Sequence, residues 1–203
     1  MSKKTSAYLK EENLLTLLSQ NNFIVPEIQR EYVWGENEKV IVKFLKDLKT
    51  KIGVCCSECN QPSSENKINI GFLYSYKPDY VKIEHDRFLD ENLIDGQQRF
   101  TTLFLLLFFC ALKELKADGK NRKVEFLTLI RFEEKIRMGF DFRVRDLTKR
   151  FMLELIENIN SVEQLQNIHR QTWFLKDYQN DVSIKSIRKA LGFIQTTCCA
   201  FRK

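Results

Sequence analysis

The segment that most limits what this chain can fold into is Phe100-Thr101-Thr102-Leu103-Phe104-Leu105-Leu106-Leu107-Phe108-Phe109-Cys110-Ala111-Leu112. A helix drawn over Phe100 to Lys116 is apolar on nearly every face, so the rest of the chain has to wrap around it. Its longest apolar run, Thr101 to Leu112, is shorter than the roughly 18 residues a membrane span needs, so the cover is expected to be protein and no membrane is expected as a partner. With 203 residues, 43% of them hydrophobic, the chain can build one good core and a helical annex. The N-terminal MSKKTS leads into polar, acidic residues rather than an apolar signal segment, so a cytoplasmic protein is expected.

Periodicity supplies the remaining elements. A first helix is expected over about Ser6 to Ser19, with Leu14, Leu15, Leu17 and Leu18 on its apolar side. A short strand, Phe23-Ile24-Val25, ends at Pro26. After Trp34-Gly35, the recurrence of Val40, Ile41, Phe44, Leu45, Leu48 and Ile52 predicts an amphipathic helix. Residues 53–67 lack periodicity and read as a surface loop, followed by strands at Ile68 to Tyr76, Tyr80 to Ile83 and Asn92 to Ile94. Gly139 to Val144 alternates like a strand, and Asp146 is placed to cap a helix carrying Leu147, Phe151 and Leu155. A helix over 161–176 and a last one over Ser183 to Phe201 follow, the latter with a seam of Ile184, Ile187, Leu191, Ile194, Cys198 and Phe201. Helices and strands in this order predict an α+β fold with a small mixed sheet and a mostly helical extension. Because the last seam runs to the terminus, a missing C-terminal part or a partner subunit is expected to cover it.

Cys56-x-x-Cys59, beside Cys55, has the spacing of half a zinc site, but no second pair follows. Closure by His85, Cys198 or Cys199 would depend on folding, and reduced loop cysteines are the simpler expectation. Cys110 falls in the apolar helix and is expected in the core.

The chemistry is concentrated at two places. Ile94-Asp95-Gly96-Gln97-Gln98-Arg99-Phe100-Thr101-Thr102 lies between a strand and the buried helix. Unpaired N–H groups and the dipole at a helix start favour an anion. Gly96 admits close backbone approach, Gln97 and Gln98 add donors, Arg99 offers a phosphate-shaped fork, and Thr101 a hydroxyl. Equally, Asp95 could only cap and Gly96 only turn. In Ile24-Val25-Pro26-Glu27-Ile28-Gln29-Arg30-Glu31-Tyr32-Val33-Trp34, Arg30 suits phosphate and an aromatic ring suits a base, while Tyr32 and Trp34 could simply pin the next helix to the core.

Taken together, I-V-P-x-x-Q-R-x-Y-V-W, then G-F-L, then I-D-G-Q-Q-R-F-T-T-L resemble the N-terminal domain of GmrSD-type restriction proteins, over residues 11–112. That domain is similar to the ParB and sulfiredoxin fold. The resemblance implies a ParB/sulfiredoxin-like DGQQR domain over 1–120 and a helical extension over 121–203, cut short at its C-terminus. It implies binding of a nucleoside triphosphate with Mg2+, and in some members hydrolysis, coupled to restriction of phage DNA. By position, Asp95 would orient water or metal, and Gly96, Gln97, Gln98, Arg99 and Thr101 would hold phosphates. Gln29 and Arg30 would face the same pocket, Tyr32 and Trp34 would support it, and Gly71 would lie in the intervening strand. Glu31 stands where the family often has proline, which alters a turn. No cysteine stands in the phosphate loop, which argues against reductase chemistry. His85 and His169 are the only histidines, and neither lies in a metal-ligand pattern, so the nuclease that full-length relatives carry is not expected in this chain.

A second functional class stays open. The net charge of +6 falls entirely in residues 121–203, where Arg143, Arg145, Lys149, Arg150, Lys185, Arg188, Lys189, Arg202 and Lys203 would suit a non-enzymatic DNA-binding module. A remnant that binds a partner through its last helix is the third reading.

Overall fold

The computed structural model describes residues 9–26, 29–58, 69–76, 89–113, 120–132, 135–136, 140–141 and 145–199. The elements are α1 (Leu14–Gln20), β1 (Asn21–Ile24), α2 (Glu38–Glu58), β2 (Tyr74–Tyr76), β3 (Leu89–Asp95), α3 (Gln97–Lys113), α4 (Lys123–Ile130), β4 (Arg131–Phe132), β5 (Lys135–Ile136), β6 (Phe140–Asp141), α5 (Asp146–Asn158), α6 (Val162–Gln166) and α7 (Val182–Cys199). Short 3-10 turns stand at Trp34–Glu36, Ile168–Arg170 and Lys176–Gln179. This is an α+β fold. A four-stranded mixed sheet runs β2-β3-β1-β6, with a separate β4-β5 pair. The central strand β1 pairs in parallel with β3, Asn21 opposite Leu89 through Ile24 opposite Asn92, and also with β6. A parallel pair requires a crossover, and α2 lies within the one joining β1 to β3.

Helix α3 is the hub. Phe104, Leu105, Phe108 and Phe109 are fully buried, and α4 and α7 pack along it. Phe23 meets Phe100 edge-on at 5.2 Å, and Phe126 of α4 lies against Phe104 and Phe108. The seam of α7 is buried at Ile184, Ile187, Leu191 and Ile194, with Cys198 partly covered; Phe201 lies outside the described residues. One hydrophobic cluster runs from Leu18 through Phe108 to Ile194. Among the described residues no helix is long and apolar enough to cross a membrane.

Several elements differ from expectation for identifiable reasons. Residues 9–13 are not helical; α1 starts at Leu14, where Asn13 Oδ1 accepts the Thr16 N–H at 2.8 Å, and Leu15 is exposed. Residues 53–58 continue α2 rather than forming a loop. They hold no proline, and extending an existing helix is easy. The strand expected from Ile68 shrinks to Tyr74–Tyr76, because Gly71 has φ +102° and the Ile70 and Phe72 carbonyls accept from Arg99 instead of a neighbouring strand. Asp146 does not cap α5. Arg145 occupies the cap position without a side-chain cap bond, and Asp146 is the first helical residue. The helix expected over 161–176 is broken after Gln166, where Trp173, Phe174 and Tyr178 gather around Phe151. Cys110 is exposed rather than buried. It shares a stripe of α3 with the partly covered Leu106 and Leu107. The strand expected at Tyr80 to Ile83 lies outside the described residues, as do Cys59 and His85.

Lys123 is the buried cation of this core. Its ammonium donates to Glu157 O and Asn160 Oδ1, each at 2.8 Å. Burial pushes its pKa down to about 8, partly offset by the nearby Glu157 carboxylate. Between about pH 8 and the ordinary value of 10.5 the unfolded chain therefore binds the extra proton, so stability rises with pH across that window. In Lys123→Met this component of the rise disappears, as urea unfolding at pH 7.5, 9 and 10 would report; parallel slopes for wild type and variant would contradict it.

Candidate functional site

The two motifs singled out in the sequence meet at the N-terminus of α3. Strand β3 ends at Asp95, and Gly96 turns the chain with φ +96° into the helix. A Cβ there would stand 2.8 Å from Leu73 Cδ1 and 3.1 Å from Phe72 O, so both the conformation and the space select glycine.

The glutamines next in line reach across to the first motif. Gln97 Nε2 donates to Arg30 O. Gln98 Nε2 donates to Glu31 O at 2.8 Å, while its Oε1 accepts the N–H groups of Val33 at 2.9 Å and Trp34 at 3.2 Å. Gln29 completes the seam in the other direction, donating from Nε2 to Ile94 O at 2.7 Å. Both glutamine side chains of α3 are buried. A primary amide carries donors and an acceptor on one plane, so Gln98 can serve a carbonyl and two N–H groups of an irregular segment at once.

Tyr32 anchors the segment from below. Thr102 Oγ1 donates to Gln98 O at 2.8 Å, which leaves the fully buried Tyr32 phenol to donate to Thr102 Oγ1 at 2.9 Å. Burial raises the phenol pKa well beyond its ordinary value, and the Thr102 bond only partly opposes this, so the group stays neutral. Trp34 packs edge-on to Phe44 of α2 at 5.3 Å. On the other side α7 holds the same segment: Ser183 Oγ accepts the Tyr32 N–H at 3.3 Å and Ser186 Oγ accepts the Gly35 N–H at 2.9 Å. A Cβ on Gly35 would stand 1.7 Å from Ser186 O, so backbone touches backbone here. Arg145 Nη2 donates to Gln29 O at 2.9 Å.

Arg99 lies along the surface of this junction. It donates to Phe72 O at 2.9 Å and Ile70 O at 3.3 Å, and its Nη2 is 3.9 Å from Asp95 Oδ2. A guanidinium has five N–H donors, so further donors remain after these two bonds. The Asp95 side chain is 68% exposed. Arg30 is exposed and has no side-chain hydrogen bond or ion pair among the described residues. Thr101 is buried beneath the turn. The rings of Phe72 and Tyr74, both more than half exposed, lie tilted at 37° to each other with centroids 5.9 Å apart, and the Phe72 backbone borders Gly96.

Thus Gln29, Arg30, Asp95, Gly96, Gln97, Gln98 and Arg99 are brought together, with Tyr32 and Trp34 behind them. The sequence reading missed Ser183, Ser186 and the exposed Phe72–Tyr74 pair, and it grouped Arg145 with a DNA-binding face rather than with Gln29, whose carbonyl it holds. No local pattern marks the two serines, while alternating exposed aromatics in 72–76 were a usable signal for the pair. Among the described residues no group of three or more His, Cys, Asp or Glu side chains could hold a metal ion.

Loss of the Gln98 amide leaves two backbone donors and one acceptor without partners in a part-buried seam. Gln98→Leu is expected to lower the unfolding free energy by about 2–4 kcal/mol in urea titrations; a change under about 1 kcal/mol would mean the seam is not held by this side chain.

Comparison with known families gives one match: the family described as GmrSD restriction endonuclease, N-terminal domain, matches residues 14–202. No curated protein and no solved structure matches.

Proposed function

Because the chain belongs to the GmrSD restriction endonuclease N-terminal domain family, we propose that it binds a nucleoside triphosphate at the start of α3 in a restriction, anti-phage setting. The observation that carries this reading is the seam of Gln97 and Gln98, which holds Arg30 beside the Asp95-Gly96 turn. Around that point lie the free amides of a 17-residue helix start, the exposed Arg30, the remaining donors of Arg99, and one exposed carboxylate.

Each residue has a distinct part in this reading. Gly96 lets phosphate oxygens approach the first turn of α3, where the helix dipole favours negative charge. Arg30 and the outward N–H groups of Arg99 neutralise the β- and γ-phosphates. Gln97 and Gln98 act by shaping the pocket wall, since their amides are engaged with the first motif. The Phe72–Tyr74 pair offers a stacking surface for the base. Mg2+ usually binds through one or two carboxylates together with substrate phosphates, and a lone Asp95 fits that mode. Asp95 then orients water for hydrolysis. The β3-Gly96-α3 junction in a small mixed sheet supports a ParB/sulfiredoxin-like reading of the fold. In this role the nucleotide state would govern a nuclease part or partner subunit acting on DNA.

Calorimetry with ATP, GTP and CTP in the presence of magnesium tests the reading. The wild-type chain is expected to bind at least one of them, and Arg30→Ala to weaken binding about tenfold or more, roughly the 1.4 kcal/mol of one charge-assisted contact. Asp95→Ala is expected to retain binding and lose turnover. Absence of binding to all three, or full affinity in Arg30→Ala, would refute the proposed pocket.

A further inference from the structure

Gln29, Arg30 and Glu31 lie in no strand, yet the backbone carbonyl of each accepts a hydrogen bond from a side chain. Gln97 and Gln98 of α3 serve Arg30 O and Glu31 O. The third donor comes from the helical part of the chain. Arg145, 116 residues further on at the start of α5, donates from Nη2 to Gln29 O at 2.9 Å. The Gln29 carbonyl belongs to the peptide group that enters Arg30, and the Arg30 carbonyl to the one that leaves it. A peptide group is planar, so holding both carbonyls fixes the two soft dihedrals of Arg30 and the direction in which its side chain departs. Gln29 is otherwise held through its N–H, which donates to Pro26 O at 3.0 Å, and through its side chain on Ile94 O. The Arg30 N–H has no partner among the described residues, so Arg145 decides how the Gln29–Arg30 peptide group is turned.

The needs of α5 do not explain an arginine at this position. A helix start favours a Ser, Thr, Asp or Asn cap and negative rather than positive charge. Arg145 makes no side-chain cap bond, and its guanidinium has the wrong sign for the dipole. It has no ion pair among the described residues. The base from which it reaches is firm. Thr148, buried in the same first turn, donates to Asp181 Oδ1 at 3.3 Å, and that oxygen also accepts the Ile184 N–H of α7 at 2.8 Å.

We propose that Arg145 is a positioning residue through which the helical part of the chain sets the affinity of the site at the start of α3. It directs Arg30 toward the phosphates without touching them, and in this it rests on the nucleotide reading given above. Coupling of this kind is reciprocal. A nucleotide held by Arg30 therefore tightens the Arg145 contact and the first turn of α5 with it, where the Lys149 N–H donates to Arg145 O at 2.9 Å.

The test is a double-mutant cycle on Arg30 and Arg145, read as affinity for the preferred nucleotide with magnesium by calorimetry. Arg145→Met is expected to weaken binding about three- to tenfold, and no more than Arg30→Ala does, since it acts only through Arg30. In the Arg30→Ala background the same change is expected to alter affinity less than about twofold. Arg145 is half-buried at a helix start, so thermal unfolding is expected to show Arg145→Met folded; Arg145→Lys, which keeps a donor, is expected to lose less affinity. Saturating nucleotide is expected to slow hydrogen exchange of the Lys149 amide in the wild type and not in Arg145→Met. Wild-type affinity in Arg145→Met, or an equal loss with and without Arg30, would overturn the positioning role and leave the nucleotide site standing. Absence of binding by the wild type would overturn both.

Discussion

The side-chain amide of Gln98 is the contact on which the rest of the arrangement depends. Residues 31–34 form no sheet ladder and only a single 3-10 turn, so their backbone groups need partners from elsewhere. Gln98 supplies three of them from one rigid group, across more than 60 residues of sequence. Because Gln98 is in the first turn of a helix sunk in the core, the segment it holds inherits the rigidity of that core. A carboxylate at this position could accept from Val33 and Trp34 but would repel the Glu31 carbonyl, and an aliphatic side chain could do neither.

From this contact the architecture extends in two directions. Beneath the segment, Tyr32 carries the hydrogen-bond chain through Thr102 back to the Gln98 carbonyl, so the phenol is both buried and satisfied. Above it, Ser183 and Ser186 of α7 accept its N–H groups, and Gly35 permits direct backbone contact. The first motif is thus held between α3 and α7. Its polar residues Gln29 and Arg30 are left at the surface, beside Asp95 and the Gly96 turn. Rigid placement of a few polar groups at a helix start is what recognition of a phosphate requires.

Much of this was legible in advance, though not with the right partners. The Phe100 to Leu112 run announced a helix that must be surrounded, and most of α3 is buried, with Cys110 exposed. The seam of α7 was equally plain from its 3-4 spacing. The strand expected from Ile68 failed for a reason invisible in propensities: the carbonyls of Ile70 and Phe72 are claimed by Arg99. The helix expected over 161–176 failed because the aromatics Trp173, Phe174 and Tyr178 gain more by clustering on Phe151 than by continuing a helix. Alternation and helical spacing register burial, whereas these outcomes turn on particular long-range partners.

By itself the sequence determined which segments are buried and where the β3-Gly96-α3 junction falls, because these follow from apolar periodicity and from the special conformation only glycine adopts freely. What tertiary structure alone decided is the division of labour among the polar residues. Gln97, Gln98 and Arg99 read locally as a row of donors for a ligand. The fold turns the two glutamine amides inward to bind the backbone of the other motif, ties Arg99 to Ile70 and Phe72, and leaves Arg30 and Asp95 outward. Hydrogen bonding is directional and short in range, so its pairing is set by where the chain returns in space, which no local pattern encodes.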